Sequence, residues 1–257
     1  ATPRRPQPDR IPFHRILNVE FTKMFNTRSG FWLMVSIVAS AVLATAAVIA
    51  FAPETEQTYD TFGAAIGFPM VVILPIIAVL SVTSEWSQRS GLTTFTLVPH
   101  RGRVLGAKLT VSVLVGAASI LIALGIGALG NLLGAAIIGI DPVWDISVNQ
   151  AGSIMLGNVL GLIFGFALGV LIRNSPGALV AYFVFYFVLS GLTTLLAASQ
   201  DWFRDAQPWV DFNFTQGTLF EGDLSGEQWA NLGVSSVIWV LIPLIAGLVL
   251  VRRSEVK

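Results

Sequence analysis

The polar residues best suited to specific interactions lie in one segment, residues 84–106, which reads SEWSQRSGLTTFTLVPHRGRVLG. Glu85 and Arg89 are four residues apart, so on a helix they share a face and can pair with each other or with charges on a partner protein. Gly91 and Pro99 favour a helix end and a turn. The alternative interpretation is a solvated loop that contributes only its positive charge.

Catalytic chemistry is not predicted anywhere in the chain. The only histidines, His14 and His100, lie in polar segments and are interpreted as ordinary interfacial or loop residues. The sequence has no cysteine, no HExxH pair and no phosphate-binding loop of the form GxxxxGK followed by Ser or Thr. We therefore expect no catalytic residue, no metal site and no cofactor in this chain, and no ATP hydrolysis of the P-loop kind.

Six apolar runs separate the polar segments. A helix of about 20 apolar residues is long enough to cross the roughly 30 Å hydrocarbon core of a bilayer. Charged residues make up 12% of the chain, about half the share in an ordinary soluble domain. We predict an all-α, multi-pass membrane protein whose six transmembrane helices cover residues 31–52, 64–83, 107–129, 151–172, 177–198 and 232–251.

The charged residues sort to opposite sides of these spans, although the net charge is zero. Every Lys and Arg except Arg204 lies before the first span, in the loops after the second and fourth spans, or after the last span. Most of the acidic residues lie in the other three connections. Because basic flanks stay in the cytoplasm, both termini are expected to be cytoplasmic.

Three regions are predicted along the chain. Residues 1–12 form a basic, Pro-containing disordered tail, residues 13–30 form an amphipathic helix in the membrane interface, and residues 31–257 form a single six-helix transmembrane domain. Within that domain, residues 199–231 are rich in aromatic side chains. That composition favours short interfacial or re-entrant helices over a solvated loop.

The amphipathic character of residues 13–30 follows from the spacing of its apolar side chains. Phe13, Leu17, Phe21 and Met24 recur at three- and four-residue steps and share one helix face. Charged residues, among them Glu20 and Lys23, occupy most of the remaining circumference. The helix is therefore expected to lie with its apolar face in the acyl boundary.

Two sets of residues stand out inside the spans. Four glycines at four-residue steps predict a smooth face for close helix packing, either static or sliding during a conformational change: Gly157, Gly161, Gly165 and Gly169. Four polar residues are candidates for lining a pathway, with interhelical hydrogen bonding as the alternative: Asn131, Asn158, Thr193 and Thr194.

If Lys108 is assigned to the loop before the third span, the predicted spans contain no ionisable residue. Proton- or ion-coupled carriers, voltage sensors and intramembrane proteases need such groups. The sequence therefore argues against those classes, and it favours an apolar or amphipathic cargo if the protein transports anything.

Three features of the chain occur together. An amphipathic stretch with Glu20 and Lys23 ends at Arg28, before the first span. Six spans follow, with an enlarged outside segment before the last. The cytoplasmic loop carries Glu85, Arg89, Gly91, Leu92, Thr93, Leu97, Pro99 and Arg101, followed by Lys108. Over essentially its whole length the chain thus resembles a bacterial ABC transporter permease of the type-2 export class.

This resemblance implies a type V exporter fold, with an N-terminal elbow helix, a cytoplasmic coupling helix and short extracellular helices before the last span. Two permeases, identical or homologous, would surround a pathway in the bacterial inner (plasma) membrane, above a dimer of separate ATPase subunits that bind ATP and Mg. The residues that it assigns to coupling with the ATPase are Glu85, Trp86, Arg89, Gly91, Thr93, Pro99 and Arg101. Those that it assigns to the elbow helix are Leu17, Glu20, Phe21 and Lys23.

The implied function is ATP-driven export of a lipid, glycolipid, peptide or drug, with membrane lipid as a further partner and no nucleic acid. The chain itself would not be an enzyme. Two alternatives stay open: a non-transporting membrane scaffold or sensor that docks a partner through the same loop, and a passive channel. An ATPase encoded next to this chain would favour the exporter.

Overall fold

The computed structural model describes residues 11–87 and 101–253, and in those ranges the chain is helical, with no strand. Six helices are long and apolar enough to cross a membrane, which confirms the predicted all-α class and number of candidate spans. They cover Gly30–Phe51, Tyr59–Ser84, Gly102–Ile138, Val148–Ile172, Ser175–Ser199 and Gly226–Val251.

Apart from α3 and α4, which flank residues outside the described ranges, the helices follow one another with short connections. In chain order they are α1 (Phe13–Asn26), α2 (Arg28–Phe51), α3 (Tyr59–Ser87), α4 (Arg101–Ile138), α5 (Val148–Ile172), α6 (Ser175–Ser199), α7 (Asp201–Val210), α8 (Phe212–Glu221) and α9, which starts with Gly226–Ser236 and ends with Ile242–Arg253. Two spans contain a π-helical segment: Val184–Leu189 in α6 and Val237–Leu241 in α9. The short helices α7 and α8 form a hairpin before the last span, where the sequence predicted short helices.

Side-chain caps fix where several helices begin. Thr27, Ser147, Asn174, Asp211 and Ser225 each accept a hydrogen bond from a backbone amide in the first turn of α2, α5, α6, α8 and α9, respectively. Such caps satisfy amide groups that a helix start leaves without partners. At the other end of α5, Arg173 adopts a left-handed conformation with φ of 57°, so that α5 and α6 are joined through only Arg173 and Asn174.

The helix α3 packs centrally and carries a proline in its interior. Pro75 cannot donate a hydrogen bond to the carbonyl of Val71, one turn earlier. Tyr182 on α6 supplies the missing donor, because its hydroxyl donates to Val71 O at 2.8 Å in a buried position. A neighbouring helix thus satisfies the backbone group that the proline leaves free, as a lipid environment requires.

The four spaced glycines lie on the central helix α5 and are all buried. A methyl group on Gly165 would lie 2.8 Å from Pro75 Cβ and 2.9 Å from Pro75 O, and one on Gly169 would lie 2.5 Å from Val82 Cγ1. The other two glycines, Gly157 and Gly161, lie against Phe220 and Gln216 of α8. The glycine face of α5 therefore contacts α3 along one half and the α7–α8 hairpin along the other.

The helix α4 is longer than the predicted third span and starts earlier. It has 38 residues, which corresponds to about 57 Å at 1.5 Å per residue. Lys108, counted with the preceding loop in the sequence, lies within this helix and inside its candidate span. The prediction that the spans contain no ionisable residue is therefore wrong: the candidate spans contain Lys108 and, close to their ends, Asp60, Arg103 and Glu227.

Replacing Gly165 with alanine is expected to destabilise the bundle by about 1–3 kcal/mol, because the new methyl group overlaps the α3 backbone. This loss of stability is measured as a lower Tm in thermal denaturation of the detergent-purified chain. The matched control is Gly152→Ala on the same helix, where an added Cβ meets nothing within 4 Å. That control should be neutral or stabilising by up to about 1 kcal/mol, and equal Tm values for both variants would contradict the packing argument.

Replacing Tyr182 with phenylalanine is expected to cost about 1–3 kcal/mol, since Val71 O then stays buried without a donor. The same change in a Pro75→Ala background should cost less, because alanine at that position restores a backbone amide one turn after Val71. A double-mutant cycle on Tm measures the difference. An identical cost in both backgrounds would show that Tyr182 does not act through the proline.

Candidate functional site

A buried ion pair joins the first helix to the fourth. Glu20 on α1 accepts a hydrogen bond from Lys108 Nζ on α4 at 2.6 Å, and the two side chains are 5% and 4% exposed. Lys23 contacts the second carboxylate oxygen of Glu20 at 2.9 Å, and Lys108 also donates to Ser81 O of α3 at 3.1 Å. We call these four residues, Glu20, Lys23, Ser81 and Lys108, the ion-pair cluster.

Because these charges are buried, the side chains of the cluster must stay closely paired, and this restricts how α1 can lie against the other helices. Removing a carboxylate and an ammonium from water is unfavourable unless the two groups pair closely and hydrogen-bond to their surroundings. Both oxygens of Glu20 have a lysine partner, and Lys108 has a carboxylate and a backbone carbonyl. The cluster therefore fixes the position of α1 against the ends of α3 and α4.

The charged side of α1 differs from the amphipathic expectation, because Glu20 is buried against the bundle. Ile16 and Glu20, one turn apart, are buried against the bundle, and Leu17 is half-buried. Phe13 and Phe21 are exposed instead. The carboxylate of Glu20 thus faces the helices rather than water, because Lys108 stabilises it there, and the aromatic side chains form the outer surface of the helix.

Three of the residues predicted to couple to a partner lie on described helices, and the other four lie outside the described residues. Glu85 and Trp86 lie in the last turns of α3, so this part of the loop continues the span, and Arg101 is the first residue of α4. Trp86 is half-buried and packs against the core that α2, α3, α4, α5 and α9 share. The other residues of this prediction lie outside the described residues: Arg89, Gly91, Thr93 and Pro99.

The two helix ends that flank this loop are tied to each other. Besides the bond from Lys108 to Ser81 O, the hydroxyl groups of Ser81 and Ser112 lie 3.1 Å apart. A force on the loop therefore acts on α3 and α4 together, and through Glu20 on α1.

The four candidate pathway residues each make a hydrogen bond to a backbone carbonyl. Asn131 is fully buried and donates to Val143 O in the loop after α4, and Asn158 donates to Ile154 O of its own helix. Thr193 and Thr194 both donate to Ser190 O on α6. Each of the four thus makes a hydrogen bond to backbone, three within their own helix and Asn131 to the following loop, so none of these bonds is the interhelical one that the sequence offered as the alternative.

The sequence did not single out the contacts between the π-helical segments and the α7–α8 hairpin. Asn213 Nδ2 on α8 donates to Phe185 O in the first π segment at 3.0 Å, and Trp239 Nε1 in the second donates to Val210 O at the end of α7 at 2.7 Å. The rings of Phe185 and Trp239 are also in contact, with centroids 4.6 Å apart. π-helical turns occur often at functional sites, and the high aromatic content of residues 199–231 was the only sequence signal for this region.

Comparison with known proteins gives no family for this chain: no family model matches it, and neither does any curated protein. Among the described residues, no group of three or more His, Asp or Glu side chains could hold a metal ion. The function is therefore inferred from the chain's own residues.

Replacing Lys108 with methionine is expected to cost about 3–5 kcal/mol of stability, because the buried carboxylate of Glu20 loses its ammonium partner. Lys23→Met is the matched control, since Lys23 contacts the same carboxylate but is 42% exposed, and it should cost less than about 1 kcal/mol. The double change Glu20→Leu with Lys108→Met should recover most of the loss. A double-mutant cycle on Tm checks this, and additive losses would contradict the pairing.

Proposed function

We propose that this chain is the membrane-spanning permease subunit of an ATP-driven ABC exporter of the type-2 class. It acts as a dimer with a second copy or a homologue, in a bacterial inner membrane with both termini in the cytoplasm. Separate ATPase subunits bind ATP and Mg and dock on the loop between α3 and α4. The observation that carries the proposal is the ion-pair cluster, which joins α1, α3 and α4 directly at the base of that loop.

The cluster gives a physical route for coupling. When ATP binding closes the ATPase dimer, the docked loop moves. Because Lys108 bonds to both Ser81 O and Glu20, the ends of α3 and α4 and the whole of α1 move as one body instead of bending separately. Packed helices respond to such a displacement by shifting or rotating against their neighbours.

The contact between α3 and α5 carries the displacement further. Pro75 and Gly165 bring the two backbones within van der Waals distance, so α5 follows a movement of α3. The other half of the glycine face contacts the α7–α8 hairpin through Gly157 and Phe220. A movement that begins at the loop thus reaches the hairpin, which lies before the last span and on the predicted outer side.

The exposed surfaces support a dimer and an apolar or amphipathic cargo, such as a lipid, glycolipid, peptide or drug. The helix α6 is the least buried of the six candidate spans, and large side chains such as Phe187, Leu192 and Leu195 are exposed on it. A second permease that faces part of this surface would enclose a pathway with apolar walls. Such walls suit apolar groups better than bare ions.

The first experiment is gentle purification of the tagged full chain from its native host, followed by mass spectrometry of the proteins that accompany it. A stoichiometric soluble ATPase with a phosphate-binding loop is the expected result. Reproducible absence of any ATPase, with the chain intact and monodisperse, would contradict the exporter and leave the scaffold, sensor or channel.

The coupling role of the loop is tested by the double change Glu85→Ala with Arg89→Ala in the complete complex. Cargo-stimulated ATP hydrolysis should fall about 5- to 150-fold, the range of a coupling free energy of about 1–3 kcal/mol, while the Tm of the chain stays unchanged. The matched control is Asp201→Ala with Arg204→Ala, an exposed ion pair on α7. If stimulation survives in the loop variant, the loop is not the docking element.

A further inference from the structure

The helix α1 lies at the level at which two candidate spans end. Glu20 contacts Lys108 within the first two turns of the span in α4, Gly102–Ile138. Lys108 in turn contacts Ser81 O within the last turn of the span in α3, Tyr59–Ser84. With 14 residues, α1 is too short to cross a bilayer. The helix therefore lies in the interface between hydrocarbon and water, against the side of the bundle.

Three different sides follow one another around α1. Glu20 is buried against the bundle, whereas Phe21 and Phe25 are exposed, with ring centroids 4.7 Å apart. Asn18 and Thr22 are exposed polar residues. Because successive residues of a helix are turned by about 100°, the phenylalanine pair lies between the buried side and the polar side. This order places the aromatic rings in the acyl boundary and the polar side chains in water.

The first turn of α2 adds two more exposed aromatic side chains at the same end of the bundle. Phe31 and Trp32 are 57% and 66% exposed, and they directly follow Gly30, where the first candidate span begins. The corner between α1 and α2 is tight, because a Cβ at Gly30 would overlap Met24 O. Amphipathic aromatic rings prefer the level of the lipid head groups. We call the four exposed rings the aromatic surface: Phe21, Phe25, Phe31 and Trp32.

Two exposed arginines accompany the aromatic surface. Arg28 lies between its two aromatic pairs in the chain, and Arg15 lies less than two turns before Phe21. Neither arginine side chain makes a hydrogen bond or an ion pair with another described residue. The only acid of α1, Glu20, is buried, and both of its oxygens bond to lysines. No carboxylate of α1 therefore remains to neutralise the two guanidinium groups.

We propose that this surface binds an anionic phospholipid, whose phosphate pairs with Arg28 and whose acyl chains lie against the aromatic surface. The strength of interfacial binding increases with the apolar area that is buried and with the attraction of basic residues to anionic lipid. A zwitterionic lipid fits less well, because its own ammonium group lies near the phosphate and weakens the attraction to the guanidinium groups. Lipid binding needs no ATPase, so the site stands independently of the proposed export function.

Local fluorescence quenching in nanodiscs tests the site. The chain has no cysteine, so Thr22→Cys allows a single bimane label on the polar side of α1 in the purified full chain. The nanodiscs are made of phosphatidylcholine and contain a minor fraction of doxyl-labelled phosphatidylglycerol or doxyl-labelled phosphatidylcholine with the same acyl chains. Phosphatidylglycerol should reach half-quenching at a mole fraction lower by about fivefold or more. A label introduced by Leu195→Cys on the exposed side of α6 is the control and should be quenched equally by both lipids.

Charge-removing variants separate this site from the general attraction of a basic protein to anionic lipid. Arg28→Gln should weaken the preference for phosphatidylglycerol about fivefold, whereas Arg28→Lys should keep most of it, because the charge is retained. Arg253→Gln, at the exposed end of α9, removes the same charge and is the matched control, which should leave the preference unchanged. The Tm of each variant is measured in parallel and should equal that of the unmodified chain.

Three results would overturn the proposal. Equal quenching of the α1 label by both lipids would show that the surface accepts any phospholipid. An equal loss of preference in Arg28→Gln and Arg253→Gln would show that only the total charge of the protein attracts the lipid. Relief of the quenching by glycerol 3-phosphate in solution would identify a site for a soluble phosphate instead of a lipid.

Discussion

The close approach of α5 to α3 at Gly165 is the constraint on which the other contacts depend. In lipid, helices are not driven together by water, so they associate through tight van der Waals contact and a few hydrogen bonds. Pro75 lies at this contact. Because Pro75 has no amide hydrogen to donate to Val71 O, the hydroxyl of Tyr182 on α6 donates to that oxygen instead. One point of the bundle thus determines both the spacing of α3 and α5 and the placement of α6.

Two different kinds of interaction hold the two parts of the protein around α5. On one side, α1, α3 and α4 are joined by charge, through Glu20 and Lys108. On the other, α6, α8 and α9 are joined by aromatic rings, with Phe164 of α5 in contact with both Phe185 and Phe212. The charged side depends on a close pairing of two buried groups, whereas the aromatic side depends on ring packing.

Hydropathy was enough to predict the helical class and the six candidate spans, and the aromatic content of residues 199–231 indicated the short helices before the last one. It could not predict the contacts that fix how each span is rotated, because a helix that is apolar on all sides has no preferred face. Those contacts join residues far apart in the chain: Tyr182 reaches Val71 over 111 residues, and Lys108 reaches Glu20 over 88. Glu20, Lys23 and Lys108 were each noted in the sequence, but only the fold shows that they meet.

The position of Glu20 ahead of the six candidate spans has a consequence for biogenesis. Lys108 lies near the start of the third span, where inserting a lysine costs less than the roughly 3 kcal/mol of the bilayer centre, but its ammonium still leaves water when the side chain is buried. The ribosome makes α1 long before α4, so the carboxylate is already at the membrane surface when Lys108 emerges. We therefore expect α1, which with 14 residues is too short to cross the bilayer, to assist integration of the third span. Loss of α1 should appear first as failed insertion of α4 during synthesis.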